Sequence, residues 1–244
     1  MSKVRLLFLG TGDYANTGAR ANQAIWIQSN NTNVLLECGP TTLYRMQQER
    51  LNPDDLQAVL VTHFHADHFI GLVFLDLALT LDWNRHRTIT YAGPKGLTDH
   101  FIEAYKICYG DFYPNYQFPR NFEEYFPKQT YNLEGIKIFP IPMKHRKESL
   151  GYRIIIEDKI IAFTGDTAWH EDISSLSKDA DILITECVEY QKNAKNHLSY
   201  QELIENSSSL KAKKIVLTHV GKEILENKNR IQWEVVEDGR EIFL

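Results

Sequence analysis

The sequence predicts an α/β fold of four layers, an αββα sandwich in which two mixed β-sheets pack face to face with helices outside. Short apolar segments of strand length recur in both halves of the 244-residue chain. Segments with helical spacing follow the strand clusters, and no repeat at a solenoid period is visible. Residues 4–9, 23–28 and 34–38 read as strands divided by polar turns containing Gly and Asn. Residues 41–50 read as a helix that closes on Asn52-Pro53-Asp54-Asp55, and 57–62 as a strand through Ala58-Val59-Leu60-Val61. Across 67–81, Phe69, Leu72, Val73 and Leu79 have helical spacing, with Asp76 as the polar break. A strand at 88–92 and a helix at 96–108 follow. Strands at 136–141, 151–157 and 159–164, with Glu157-Asp158 as a hairpin turn, open the second half. Strands at 181–187, 214–218 and 231–236 complete it, around a helix at 199–210 for which Ser199 is an N-cap. All of this fits one domain over 1–244. The segment 109–131 stands apart as an insertion rich in Pro and aromatic residues, a lid, a dimer contact or simple surface packing.

Composition sets outer bounds. A chain with 43 % hydrophobic and 24 % charged residues is ordinary globular protein, with no low-complexity tract. The first ten residues hold an apolar run too short for a secretory leader, and no window approaches a membrane span. Cys38, Cys108 and Cys187 are odd in number and widely spaced, so reduced thiols in a cytoplasmic protein are expected. A net charge of −5 argues against holding long nucleic acid by electrostatics alone.

The chemistry is concentrated in Thr62-His63-Phe64-His65-Ala66-Asp67-His68, where a strand delivers four potential metal ligands to one loop. Such a loop can point His63 and His65 at one ion, and Asp67 and His68 at another. Further ligands must come from distant loops. His145 follows Pro140-Ile141-Pro142-Met143, Asp166 follows Phe163-Thr164-Gly165, and His219 closes Ile215-Val216-Leu217-Thr218. Each lies at the end of an expected strand, and together they support one another.

This series, Thr-His-x-His-x-Asp-His, a lone His145, Gly165-Asp166-Thr167 and Leu217-Thr218-His219, resembles the metallo-β-lactamase superfamily. His145 with Gly151-Tyr152-Arg153, Leu9-Gly10-Thr11-Gly12, and Ile184-Thr185-Glu186 before His197-Leu198-Ser199 resemble its ribonuclease Z (tRNase Z) branch. The resemblance spans essentially the whole chain and implies the metallo-β-lactamase fold. It implies one divalent metal held by His63, His65 and His145, a second by Asp67, His68 and His219, and Asp166 bridging. Nitrogen and oxygen ligands without thiolate suit zinc, and accommodate manganese or iron. It further implies a metal-bridging hydroxide as nucleophile. Asp67, Glu186 and His197 are the catalytic candidates, with His197, oriented by Glu186, giving the leaving alkoxide its proton. Read alone, His197 is also simply the residue that leads into a helix at Ser199. A homodimer is implied as well.

The pattern departs from the branch in places. Glu37 stands where the superfamily usually has Asp, supporting a ligand His, and Gly39-Pro40-Thr41-Thr42 replaces Gly-Glu-Gly-Thr. Between His145 and Asp166 there is room for two strands and a turn, not for the branch's tRNA-gripping arm. Lys144, Arg146 and Lys147 suit a phosphate or a solvated surface equally, and His86, His100 and His170 are expected on the surface. The leading expectation is a dinuclear-metal phosphodiesterase on small or short phosphodiesters, such as a cyclic nucleotide, with short nucleic acid in range and long tRNA disfavoured. The alternatives are a tRNA 3′-processing endonuclease, a hydrolase of a lactone, thioester or aryl sulfate, and a non-catalytic metal- or nucleotide-binding protein.

Overall fold

A computed structural model describes residues 4–30, 32–110, 118–192 and 195–244. The chain lays down its first sheet as β1 (Arg5–Gly10), β2 (Ala24–Ser29), β3 (Thr32–Leu36), β4 (Ala58–Leu60), β5 (Ile89–Pro94) and β6 (Arg120–Tyr125). It then builds the second from β7 (Tyr131–Leu133), β8 (Ile136–Pro142), β9 (Leu150–Ile156), β10 (Lys159–Phe163), β11 (Ile182–Cys187), β12 (Ile215–Val220) and β13 (Glu234–Val235). The last strand, β14 (Glu241–Phe243), returns to the first sheet beside β1. The strand orders are β14-β1-β2-β3-β4-β5-β6 and β13-β12-β11-β10-β9-β8-β7. In both sheets three antiparallel pairings give way to three parallel ones, at β3 and at β10.

The helices are α1 (Thr42–Gln48), α2 (Ala66–Phe69), α3 (Gly71–Leu81), α4 (Leu97–Tyr109), α5 (Asp172–Ser177), α6 (Tyr200–Glu205) and α7 (Lys222–Glu226). Strand periodicity explains the layers, because successive side chains point to opposite faces. Leu6, Phe8, Ile25, Ile27, Leu36 and Leu60 meet Ile154, Ile161, Phe163, Ile182 and Ile184 between the sheets. Their neighbours Leu7, Leu9, Trp26, Leu35 and Val59 turn outward against Met46 of α1, Leu72 of α3 and Phe101 of α4. Ala162, Leu183 and Leu217 do the same against α5, α6 and α7 through Ile173, Leu203 and Ile224. Strands covered on both faces carry unbroken apolar runs, which is why these segments read so clearly in the sequence. The expected αββα sandwich is the observed fold.

Local differences have identifiable causes. The single helix expected over 67–81 is broken at Ile70 into α2 and α3. There the chain presses on another loop, and Gly71 N–H donates to the Cys38 carbonyl at 2.9 Å. Asp76, expected as a polar break, is fully buried, because Arg120 pairs with it. That pair draws part of the 109–131 insertion into the fold. Residues 120–125 form the edge strand β6, parallel to β5, with Phe118 and Tyr125 buried. Residues 111–117 of that segment, to which a lid or dimer contact would fall, lie outside the described residues. Ser199 caps α6 in a reciprocal capping box with Glu202, but the helix stops at Glu205 and passes into a 3-10 turn at Ser207–Ser209. All three cysteines are unpaired, Cys38 and Cys187 in the core and Cys108 exposed. Among the described residues no helix is long and apolar enough to cross a membrane.

Candidate metal centre

Apart from His197, which lies just ahead of α6, every candidate side chain enters from the carboxyl end of a strand, the edge where open α/β sheets present their sites. Glu37 follows β3, and His63 to His68 follow β4 and open α2. His145 follows β8, Asp166 follows β10, Glu186 lies near the end of β11 and His219 near the end of β12. Backbone geometry aims several of them. Gly165 has φ +58°, and a Cβ there would meet the Thr62 side chain at 2.8 Å, so only glycine makes the turn that presents Asp166. His219 has φ +50° and falls where the β11–β12 register slips between Glu186 and Cys187, as the extra residue of a bulge. Glu37 also holds a left-handed φ of +66°. Left-handed backbone at non-glycine residues costs energy, and here it is spent at the centre.

The donors converge in two groups. One potential ligand atom each from His63, His65, His145 and Asp166 lie within 4.8 Å of one another, and so do those of Asp67, His68 and His219. Asp166 joins the groups, with Oδ2 3.4 Å from His68 Nε2, 3.8 Å from His63 Nε2 and 4.0 Å from His145 Nε2. His68 Nε2 is 3.2 Å from His219 Nε2, and both approach Asp67 Oδ2, at 3.3 and 3.2 Å.

The far sides of the rings show which nitrogens are free. His145 Nδ1–H donates to the Asn196 carbonyl at 2.9 Å, turning the Nε2 lone pair to His65 Nδ1 at 3.1 Å. His68 Nδ1 lies 3.3 Å from Glu37 Oε1, which orients its Nε2 inward. Thr62 Oγ1 donates to Glu37 Oε1 and lies 3.0 Å from His63 Nδ1, so it can accept that N–H. His63 Nε2, Asp166 Oδ1 and His219 Nδ1 are left buried without a hydrogen-bond partner among the described residues. Buried polar atoms are rarely orphaned, and three in one cluster of imidazoles and carboxylates fit divalent cations as the missing partners.

Electrostatics agree with that fit. Burial, with the charge of His68, holds His63 well below the ordinary imidazole range, and burial lowers His65 and His145 too. Asp166 stays ionised against its burial because His219 and His68 press it down, and His219 and His68 do the same for Asp67. Against its own burial, His68 is pushed well up by Asp166. The carboxylates therefore draw positive charge into a buried site where neutral imidazoles offer lone pairs.

Beside this cluster, His197 Nδ1 lies 3.1 and 3.2 Å from the two oxygens of buried Glu186. Glu186 also accepts from the backbone N–H of Thr167 at 2.5 Å and of Leu198 at 3.3 Å, which fixes its carboxylate. Burial opposes a charge on His197, yet the Glu186 hydrogen bond and charge push it up to about 9. Its ring is tilted over that of His145, centroids 4.8 Å apart.

All nine sequence-selected residues, His63, His65, Asp67, His68, His145, Asp166, Glu186, His197 and His219, thus meet at one end of the sandwich. Sequence reading did not find Thr62 as the link between Glu37 and His63, nor Gln23. Gln23 is buried, accepts from Thr218 Oγ1 at 2.5 Å, and leaves Nε2 without a partner among the described residues. Thr62 stands in the histidine motif and Gln23 in none, and the contacts of both exist only across strands. His86 and His100 are exposed, as expected, while His170 is half-buried with Nε2 3.3 Å from Met143 Sδ.

The profile of the family described as Anti-Pycsar protein Apyc1 matches residues 4–241. A ribonuclease Z of Pyrococcus furiosus is 28 % identical over 267 residues, covering 88 % of this chain and 86 % of its own. Among solved structures, the metallo-beta-lactamase fold protein YhfI from Bacillus subtilis superposes with TM-score 0.83 at 18 % identity, all of both chains covered. Human tRNase Z, short form, superposes with TM-score 0.75 at 21 % identity over 98 % of each chain. The likeness to the metallo-β-lactamase superfamily and its ribonuclease Z branch, read from the motifs, is upheld.

Proposed function

The chain belongs to the family of the anti-Pycsar protein Apyc1, and from that premise we propose a metal-dependent hydrolase of small or short phosphodiesters, such as cyclic nucleotides, with two zinc ions at the centre. The observation that carries the reading is Asp166, whose Oδ2 lies within 4.0 Å of nitrogens from both donor groups, with an orphaned Oδ1. His63, His65 and His145 would hold one ion, Asp67, His68 and His219 the other, and Asp166 would bridge. Divalent cations so held supply Lewis acidity, which makes water a nucleophile near neutral pH and offsets charge gathering on phosphoryl oxygens.

The protein's own groups do the rest. Glu37 and the Asn196 carbonyl hold His68 and His145 in the tautomers that direct Nε2 inward. Glu186 binds His197 at Nδ1, leaving Nε2 to give a proton to the departing alkoxide. Small substrates are favoured because the residues between His145 and Asp166 are used by the loop after His145 and the β9–β10 hairpin, with no arm to grip tRNA. Zinc as the metal, a homodimer and a cytoplasmic setting belong to the same reading. Elemental analysis and light scattering test the first two.

The direct experiment is hydrolysis of bis-p-nitrophenyl phosphate, assayed beside a lactone, a thioester and an aryl sulfate. Turnover of the phosphodiester, lost on chelation and restored by zinc or manganese, is expected. Full activity in metal-stripped protein, or a preference for one of the other esters, would reject the proposal.

A further inference from the structure

The first donor group is assembled from both sheets. His63 and His65 leave β4 of the first sheet, while His145 and Asp166 leave β8 and β10 of the second. Between β8 and β10 lies β9, with Leu150 opposite Pro142 and Tyr152 opposite Phe163. This middle strand also reaches across to the end of β4. Tyr152 O–H donates to the Val61 carbonyl at 2.7 Å, and Leu150 N–H donates to the Thr62 carbonyl at 3.0 Å. These two carbonyls come directly before His63. The first sheet cannot serve the Val61 carbonyl itself. Val61 N–H donates to the Ala92 carbonyl at 3.0 Å, so the next ladder donor would be Pro94, which has no N–H. Tyr152 is fully buried in the apolar layer between the sheets. A phenol there gains over a phenyl ring only through its hydroxyl, whose burial is costly unless it is bonded. Burial and the charge of Glu37 push its ionisation well up, so it stays a donor. The second donor group is tied across the sheets elsewhere: Thr218, one residue before His219, donates through Oγ1 to Gln23 Oε1 at 2.5 Å.

Resting on the two-metal reading of the centre, we propose that Tyr152 is a positioning residue for the first donor group. Its hydroxyl pins the strand that delivers His63 and His65 to the strand lying between those that deliver His145 and Asp166. The pin sets the span across which the first ion is shared between the two sheets. It touches no reacting atom and acts through the backbone that leads into His63. Such coupling is reciprocal, so an ion held by these four residues must in turn tighten the pin.

The test is zinc affinity, measured by competition with a chelating dye on the wild type and on Tyr152→Phe, which keeps the ring and removes the hydroxyl. Tyr152→Phe, shown folded by thermal melting, is expected to bind one of two ions about tenfold more weakly, the scale of one buried hydrogen bond. The other ion is expected to keep its affinity to within about twofold. In a His145→Ala background, which already lacks a donor of the first group, adding Tyr152→Phe should change little. A second measurement needs no variant. Zinc loading of the wild type should slow hydrogen exchange of the Leu150 amide by a larger factor than that of core amides in β2. A hydroxyl with only a structural role would lower the stability of the metal-free protein and leave both affinities unchanged. That outcome, equal weakening of both ions, or Leu150 exchange that slows no more than β2, would overturn the pin while leaving the centre's reading intact. A wild type that binds no zinc would remove the centre's reading, and the pin with it.

Discussion

Glu37 shows how one side chain reaches the chemistry without touching a reacting atom. It is fully buried, accepts from Thr62 N–H at 3.0 Å and from Thr62 Oγ1, and lies 3.3 Å from His68 Nδ1. Its backbone holds a left-handed φ of +66°, which no motif announces. Removing such a support typically weakens metal binding about 10- to 100-fold. Glu37→Ala is therefore expected to lower metal affinity on that scale, read by competition with a chelating dye, and unchanged affinity would refute its role. At Asp166 a sharper outcome is expected: Asp166→Ala abolishes turnover and leaves less than a full complement of metal by elemental analysis. His197→Ala should slow hydrolysis by about 10²–10⁴-fold with alkyl leaving groups, and much less with p-nitrophenolate, which departs without a proton. A loss equal for both leaving groups would remove His197 as proton donor.

Among the elements, β6 is instructive because a buried ion pair holds it. Arg120 Nε and Nη2 donate to Asp76 Oδ1 and Oδ2 at 2.6 and 3.0 Å, and Tyr91 O–H adds a third bond to Oδ1 at 2.9 Å. The guanidinium also lies 3.9 Å above the Phe118 ring. Breaking such a pair strands a buried charge, so Asp76→Ala is expected to cost about 3–5 kcal/mol in urea denaturation. Joint replacement, Asp76→Leu with Arg120→Met, should recover most of that loss. A single variant as stable as wild type would show that the pair is not what docks β6 on α3. The aromatic excess of 109–131 was legible in the sequence. Its partial use as a sheet edge was not, since the pairing of Asp76 with Arg120 links residues 44 apart.

At the scale of the molecule, the centre sits where loops from both sheets meet, so bound cations should tie the halves of the sandwich together. Ligands that bind only the folded state stabilise by about 2.7 kcal/mol at a hundredfold excess over Kd. For a chain of this size each kcal/mol moves Tm by about 2–4 °C. Chelation is thus expected to lower Tm by about 5–10 °C in calorimetry. An unchanged melt would mean that the donors do not hold a metal. The two sheets share one order of antiparallel and parallel pairings, a likeness that left no repeat in the sequence. Strand pairing is made by backbone groups, and these place few demands on which apolar side chain is used.

The sequence by itself determined the layer architecture, because strands buried on both faces must be apolar throughout, and through its motifs and their family resemblance it picked out nine candidate residues that the fold brings to one end of the sandwich. Only the tertiary structure decided how those residues are aimed. The left-handed turns at Glu37, Gly165 and His219, the Thr62 link between Glu37 and His63, and the Asp76–Arg120 pair all depend on contacts between segments far apart in the chain. The same holds for the His63–His68 loop. Its potential ligands were readable at once, but a cleft walled by its own Phe64 appears only when Lys95, His100 and Lys147 are folded up beside it.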